Sequence, residues 1–337
     1  MSQKNRGNLL LRNARFFKSY LLRRPVWCSW QLTDKCNFRC QFCSVWKKED
    51  DSQQLDLQEI ALAAEKLAKI GPMMVSLTGG EPLMRNDLPE IINIISRYHY
   101  TFISTNGSLV TREKARELVK AGLWGVGVSV DYARPALHDE NRQFPGAYER
   151  ALNALEIFQN ERKNGRPQVN LMFTLMKDNL QDIEKLAEIT KKIGCSFRVQ
   201  AYSNLKTHDN SLQYPRPVSQ DLLALHKKYP HFITNQVVLE KFDQAITTGV
   251  PDCIAGLYMI NIDPRGYVSI CPENQDNPVG HILRDDNDTL LANLKEKHNT
   301  NRCQSCWYNC RNELEVCYSF RGMWFSGKRN TFHKSQM

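Results

Sequence analysis

The sequence predicts an α/β protein built on a parallel sheet, with a small cysteine-rich unit at its C-terminal end. Three observations carry this. Short apolar runs alternate with amphipathic stretches of helical period over about residues 24–205, the pattern of repeated strand–helix units. Segments rich in cysteine, glycine and small polar residues sit where the apolar runs end, and parallel α/β folds gather ligands at the C-terminal ends of their strands. Six of the eleven cysteines fall between residues 253 and 317, a density that core packing does not explain.

The elements follow in order. Over residues 9–24, Leu9, Leu10, Asn13, Phe16, Phe17, Tyr20 and Leu21 recur at helical spacing, Arg12, Arg15, Lys18 and Arg23 fall elsewhere on the wheel, and Pro25 stops the helix. Such a basic amphipathic helix can lie on an anionic membrane surface. It can equally pack its apolar stripe on the domain and leave its arginines solvated, which is the reading preferred. Residues 26–32, 73–78, 100–104, 125–130, 169–175 and 197–201 are short runs rich in β-branched and aromatic residues and read as strands. Residues 57–70, 87–98, 111–121, 147–162 and 180–193 have the 3.6-residue apolar period of helices. Asp263-Pro264-Arg265-Gly266 reads as a turn between the apolar runs 257–262 and 267–270, hence a hairpin with Cys253 and Cys271 near its base. The expected organisation is an N-terminal helix (1–23), a main domain (24–205), a helical linker (206–249), a cysteine-rich domain (250–325) and a disordered tail (326–337).

Composition excludes several classes. At 337 residues, 42% hydrophobic and 24% charged, the chain is ordinary globular material with room for a large core. No apolar stretch approaches the roughly 20 residues that span a bilayer. Residues 9–11 are too short for the apolar core of a secretory signal. Eleven cysteines then point to metal rather than disulfides, in a reducing cytoplasm, with peripheral membrane contact through residues 9–24 as the one departure.

The richest motif is Cys36-Asn37-Phe38-Arg39-Cys40-Gln41-Phe42-Cys43. Three thiolates on one short loop can hold an iron–sulfur cluster and leave one iron without a protein ligand. The same triad can bind zinc, which prefers a fourth ligand, but the next histidine is His99 and the next cysteine is Cys195. Unligated buried cysteines are the third reading. Thr78-Gly79-Gly80-Glu81-Pro82 ends the second strand, where adjacent glycines allow close backbone approach and Pro82 stiffens the turn.

Together the triad, with Phe42 before its last cysteine, and Gly79-Gly80-Glu81-Pro82 resemble the radical S-adenosylmethionine (SAM) enzymes. The resemblance implies a partial (β/α)6 barrel over about residues 24–205. It implies that Cys36, Cys40 and Cys43 ligate a 4Fe–4S cluster whose open iron chelates S-adenosylmethionine, which is cleaved reductively to a 5′-deoxyadenosyl radical. It also implies that Phe42 packs near the adenine and that Gly79, Gly80 and Glu81 contact the methionine amino group. Ser129, closing a strand, and Arg142, expected in the following loop, are assigned to S-adenosylmethionine on the same ground, against the alternative that Arg142 is an ordinary surface arginine. The resemblance further implies a reductant such as flavodoxin or ferredoxin. The formal charge of +9 hints at anionic partners, but one three-thiolate and one four-thiolate dicationic cluster bring it to roughly +6, and no nucleic-acid partner is expected.

The C-terminal cysteines resemble the auxiliary-cluster domains called SPASM or twitch. The spacing Cys303-x2-Cys306-x3-Cys310-x6-Cys317 departs from the full SPASM pattern. The expectation is therefore one auxiliary 4Fe–4S cluster held by Cys253, Cys271, Cys303 and Cys306, with Cys310 as a substitute ligand and Cys317 spare or sharing a second, incomplete cluster. Zinc is the alternative occupant here too. Cys28 and Cys195 border strands and read as core residues.

Three functions compete. The first is a radical SAM enzyme whose auxiliary cluster accepts an electron from, or helps bind, a substrate: a ribosomal peptide, a lipid, or a small-molecule or cofactor precursor. The second is a glycyl-radical activating enzyme, which would carry extra cysteines soon after the triad; residues 44–57 contain none. The third is a non-enzymatic zinc or iron–sulfur scaffold, which leaves residues 79–82 unexplained. Neither a catalytic side chain nor a substrate contact is nameable at this level, because cofactors carry the hard chemistry in such enzymes.

Overall fold

The computed structural model describes residues 18, 19, 21, 22, 24–48, 53–71 and 74–317, the last without its side chain. Most of the expected N-terminal helix and the whole tail at 326–337 lie outside the described residues. At the described end of that helix Leu22 N and Arg24 N bond to Lys18 O and Ser19 O. Leu21, placed on the apolar stripe, is 62% exposed there, while Ser19 is buried.

Six strands, β1 (Trp27–Gln31), β2 (Met74–Thr78), β3 (Tyr100–Thr105), β4 (Gly125–Ser129), β5 (Gln168–Leu175) and β6 (Ser196–Ala201), pair in parallel in sequence order. Their β-branched and aromatic side chains are largely buried, as expected for a parallel sheet covered by helices. The covering helices are α1 (Leu57–Ile70), α2 (Leu88–Ser96), α3 (Arg112–Ala121), α4 (Pro135–Arg142), α5 (Ala147–Glu161) and α6 (Asp182–Ile193). Local chemistry sets their ends. Asp56 and Glu59 form a reciprocal capping box at the start of α1, and Thr111 caps α3 through Lys114 N. Because all six strands run the same way, the loops after them meet at one edge of the sheet.

α4 is a correction: Arg142 is not in a loop but is the last residue of a helix that begins with Pro135 and carries no apolar stripe strong enough to announce itself.

Between residues 206 and 249 lie α7 (Ser219–Lys228), α8 (Gln236–Glu240) and α9 (Phe242–Thr247). The hairpin forms at Asp263–Gly266 between β7 (Met259–Ile262) and β8 (Tyr267–Ser269), with β9 (Gly280–His281) beyond it. β7 pairs in parallel with β1, from Trp27 opposite Met259 to Trp30 opposite Ile262, so the cysteine-rich segment extends the main sheet to nine strands. Helices α10 (Asn287–Thr300) and α11 (Asn309–Cys317) complete the described chain. Among the described residues no helix is long and apolar enough to cross a membrane.

Candidate functional site

The loop after β1 carries the triad, and the loop after β2 is clamped onto it. Gly80 N donates to Thr33 O and Glu81 N to Lys35 O, each at 2.8 Å. A Cβ on Gly79 would lie 2.2 Å from Thr33 O and one on Gly80 2.0 Å from Lys35 O. The glycines are therefore required first by this backbone-to-backbone contact, before any ligand is considered.

Glu81 is fully buried and knits three loops together. Its carboxylate accepts Leu83 N at 3.1 Å, Thr105 Oγ1 at 2.7 Å and Asn106 N at 2.8 Å. A carboxylate offers about four acceptor positions, so one remains. Burial raises the Glu81 carboxyl above its ordinary range, and these donors oppose the rise. Asn106 continues the network: Asn106 Nδ2 donates to Asn37 Oδ1, Asn37 Nδ2 to Ser108 Oγ, and Ser108 Oγ to Asn106 Oδ1, at 2.7 to 2.9 Å. Thus the residue after Cys36 is tied to the end of β3. Asn37 lies about 70 positions from its partners Asn106 and Ser108, and no local signal announces the pairing.

The thiols gather around an aromatic floor. Phe38 is buried and stacks on Phe144 at 4.4 Å between centroids. Cys40 is buried, and Cys36, Phe42 and Cys43 pack beside it. Burial pushes the Cys36 thiol up to about 12, with the charges of Glu81, Cys40 and Cys43 adding to the rise. Such thiols stay protonated unless a metal supplies compensating charge, as a coordinated metal does. Arg142 is buried too, which removes the surface reading: Nη1 lies 3.9 Å from Cys40 Sγ, Nη2 bonds Asp131 Oδ2, and the guanidinium sits 4.9 Å from the Phe42 ring. Ser129 is half-buried at the C-terminal end of β4.

A second group forms from Cys253, Cys271, Cys303, Cys306 and Cys310. Burial raises the thiols of Cys253, Cys271, Cys306 and Cys310, and all five cysteines are linked through one another's charge. At Cys310 the charges of Cys306 and Cys253 add to the rise. The side chain of Cys317 lies outside the described residues. Arg311, which the sequence reading passed over, organises the group. Its buried guanidinium donates to Cys306 O at 3.1 Å, to Val250 O and Pro251 O at 2.6 and 2.7 Å, and to Glu315 Oε1 at 2.6 Å. One side chain thus joins the segment before Cys253 to the loop carrying Cys306.

Between the groups, Lys206 in the loop after β6 pairs with Glu273, two residues past Cys271, at 3.5 Å. Glu273, then Cys43 and Cys310, hold the Lys206 ammonium above its ordinary range against burial, so this cation is within electrostatic reach of both thiol groups.

The residues fit iron–sulfur clusters. Both donor sets are all-thiol, the usual ligands of such clusters.

Comparison with known proteins agrees with this chemistry. Residues 30–189 match the family model described as "Radical SAM superfamily". The chain is 34% identical over 188 residues to Fe-coproporphyrin III synthase of Methanosarcina barkeri, covering 54% of this chain and 46% of that protein, so this match spans less than half of the synthase. It is 24% identical over 325 residues to mycofactocin maturase MftC of Mycolicibacterium smegmatis, covering 91% and 82% of the two chains. In three dimensions it resembles Streptococcus suis SuiB bound to precursor peptide SuiA, with a TM-score of 0.65 at 17% identity over 90% of this chain and 74% of that one. At that identity the likeness concerns the fold.

Proposed function

We propose, from the match of residues 30–189 to the radical SAM superfamily model, that the chain is an enzyme that reductively cleaves S-adenosylmethionine and removes a hydrogen from a peptide substrate, assisted by an auxiliary cluster. Bound at the two thiol groups, the clusters and S-adenosylmethionine supply the electron, the 5′-deoxyadenosyl radical that abstracts hydrogen, and a second redox centre near the substrate. The protein's part is positioning and exclusion of water.

Cys36, Cys40 and Cys43 hold the first cluster, and the floor of Phe38 and Phe144 shields it. Gly79 and Gly80 bring the second loop against the first, and the remaining acceptor position of Glu81 receives the cofactor ammonium. Phe42 would pack near the adenine, and Ser129 would contact S-adenosylmethionine. Arg142 Nε, buried without a hydrogen-bond partner, offers a donor to the cofactor carboxylate. Cys253, Cys271, Cys303 and Cys306 hold the auxiliary cluster, with Cys310 beside them.

The single observation that carries this reading is the Glu81 network, which joins the triad loop, the glycine loop and the end of β3 into one cradle. The peptide is favoured because SuiB, a neighbour in fold over 90% of this chain, is bound to a precursor peptide. A small-molecule or cofactor precursor is the second reading, favoured by the higher identity to the coproporphyrin synthase. After anaerobic cluster loading and with a chemical reductant, the protein should release 5′-deoxyadenosine, and the Cys36→Ala/Cys40→Ala/Cys43→Ala variant should not. Cleavage that survives in the variant would refute the assignment. Deuterium carried into 5′-deoxyadenosine from a labelled peptide, and not from a labelled tetrapyrrole, separates the two substrate classes.

A further inference from the structure

Arg142 is an expensive residue to bury. Its side chain is 8% exposed and its partner Asp131 is fully buried, and an ion pair removed from water contributes little to stability by itself. The arrangement is nevertheless tightly built. Asp131 Oδ1 accepts Thr174 N at 3.0 Å, Asp131 O accepts Asn179 Nδ2 at 2.9 Å, and Asp131 N donates to His138 Nδ1 at 3.2 Å. Asn179 and His138 thus fix the Asp131 backbone and Thr174 N its carboxylate, and that carboxylate holds the guanidinium. The Phe42 ring fixes the guanidinium from a further side. What this fixed cation faces is the sulfur of Cys40, 3.9 Å from Nη1.

We infer that Arg142 is a positioning residue for the triad cluster: anchored by Asp131, it directs an N–H and a fixed positive charge at Cys40 Sγ, and so raises the reduction potential of the cluster that Cys40 ligates. The inference rests on the reading of Cys40 as a ligand. Its physical basis is that hydrogen bonds to cluster sulfur and nearby charge set the potential within one cluster type. Adding an electron makes the cluster more negative, and a cation held in a low-dielectric interior stabilises that state. The charged groups near Arg142 are Asp131, Cys40 and Glu81. Asp131 opposes the cation, but the guanidinium itself contacts Cys40 Sγ through Nη1 while it holds Asp131 through Nη2, so the pair does not cancel at the sulfur. This role differs from a contact with S-adenosylmethionine, which is left to Nε.

Two substitutions pull in opposite directions. Arg142→Met keeps length and bulk while removing the charge and the donors. Asp131→Asn keeps shape while leaving the cation uncompensated. Each variant is loaded anaerobically, its iron is counted, and the potential is measured by EPR-monitored titration of the signal that S-adenosylmethionine perturbs. At wild-type iron content, R142M should be harder to reduce by about tenfold in the equilibrium, about 59 mV for one electron, and D131N should be easier to reduce. A purely structural role for the pair would not move the potential in opposite directions. If R142M loses its fold or its iron, D131N alone decides: an unchanged or lowered potential overturns the inference. Unchanged potentials in both variants overturn it as well. Wild-type protein that takes up no cluster at the triad overturns the reading of Cys40 beneath it, a failure visible in the iron count before any titration.

Discussion

Cys36, Cys40 and Cys43 lie within eight consecutive residues, whereas Cys253, Cys271, Cys303, Cys306 and Cys310 arrive from three stretches of chain. The triad is shaped by its own loop and by the neighbouring strand ends, through short contacts such as Gly80 N to Thr33 O. The second group is braced over long range by Arg311, which spans from Pro251 to Cys306, and by Val250 N, which donates to Gln304 O. The contrast teaches that the first site is encoded as a local motif supported by a network, and the second as a meeting of distant segments. The two should therefore fail separately.

The largest separation should come from Gly80→Ala. A Cβ 2.0 Å from Lys35 O forces backbone to move, at about 3 kcal/mol. A displacement near 1 Å at the site lowers turnover by roughly a hundredfold. Cleavage of S-adenosylmethionine should fall by that order while iron at the C-terminal group is kept; a variant with wild-type cleavage would show that the loops are not clamped.

Arg311→Met should do the reverse. Removing one partner of a buried, multiply bonded charge costs about 3 kcal/mol, and about four of eight irons should be lost with the triad intact. Loss of all iron would mean that the groups are not independent.

Glu81→Gln is milder, about 2 kcal/mol, because the amide NH2 replaces one oxygen and faces either Asn106 N or Leu83 N and Thr105 Oγ1, which themselves donate. It should weaken S-adenosylmethionine binding, read by EPR perturbation, without changing iron content. The smallest effect belongs to Lys206→Met. Its ion pair with Glu273 is partly exposed, worth no more than about 1 kcal/mol, so unfolding should shift little and both groups should keep iron. Iron lost from either group would show that this pair holds them together.

The same contrast explains what the sequence discloses. Helix α1 is legible to the residue because its apolar period and its Asp56–Glu59 capping box agree, and the strands are legible as runs with breaks. α4 is hidden because Pro135 opens a mostly polar helix, and with it the burial of Arg142. Gly79 and Gly80 are visible as a motif, but what they approach, the carbonyls of Thr33 and Lys35, is set by the pairing of β1 with β2. Likewise the parallel pairing of β7 with β1 spans more than 200 positions, and no local pattern carries it. The cysteines declare themselves; Asn37, Asp131 and Arg311, which hold them, do so only once the chain has folded.

That two separate thiol groups each hold their own cluster is tested by iron and sulfide analysis of the Cys36→Ala/Cys40→Ala/Cys43→Ala variant beside wild type. The expected result is about eight irons and eight sulfides in wild type and about four of each in the variant, with the signal that S-adenosylmethionine perturbs gone. An unchanged count, a count near zero in the variant, or zinc in place of iron would contradict it.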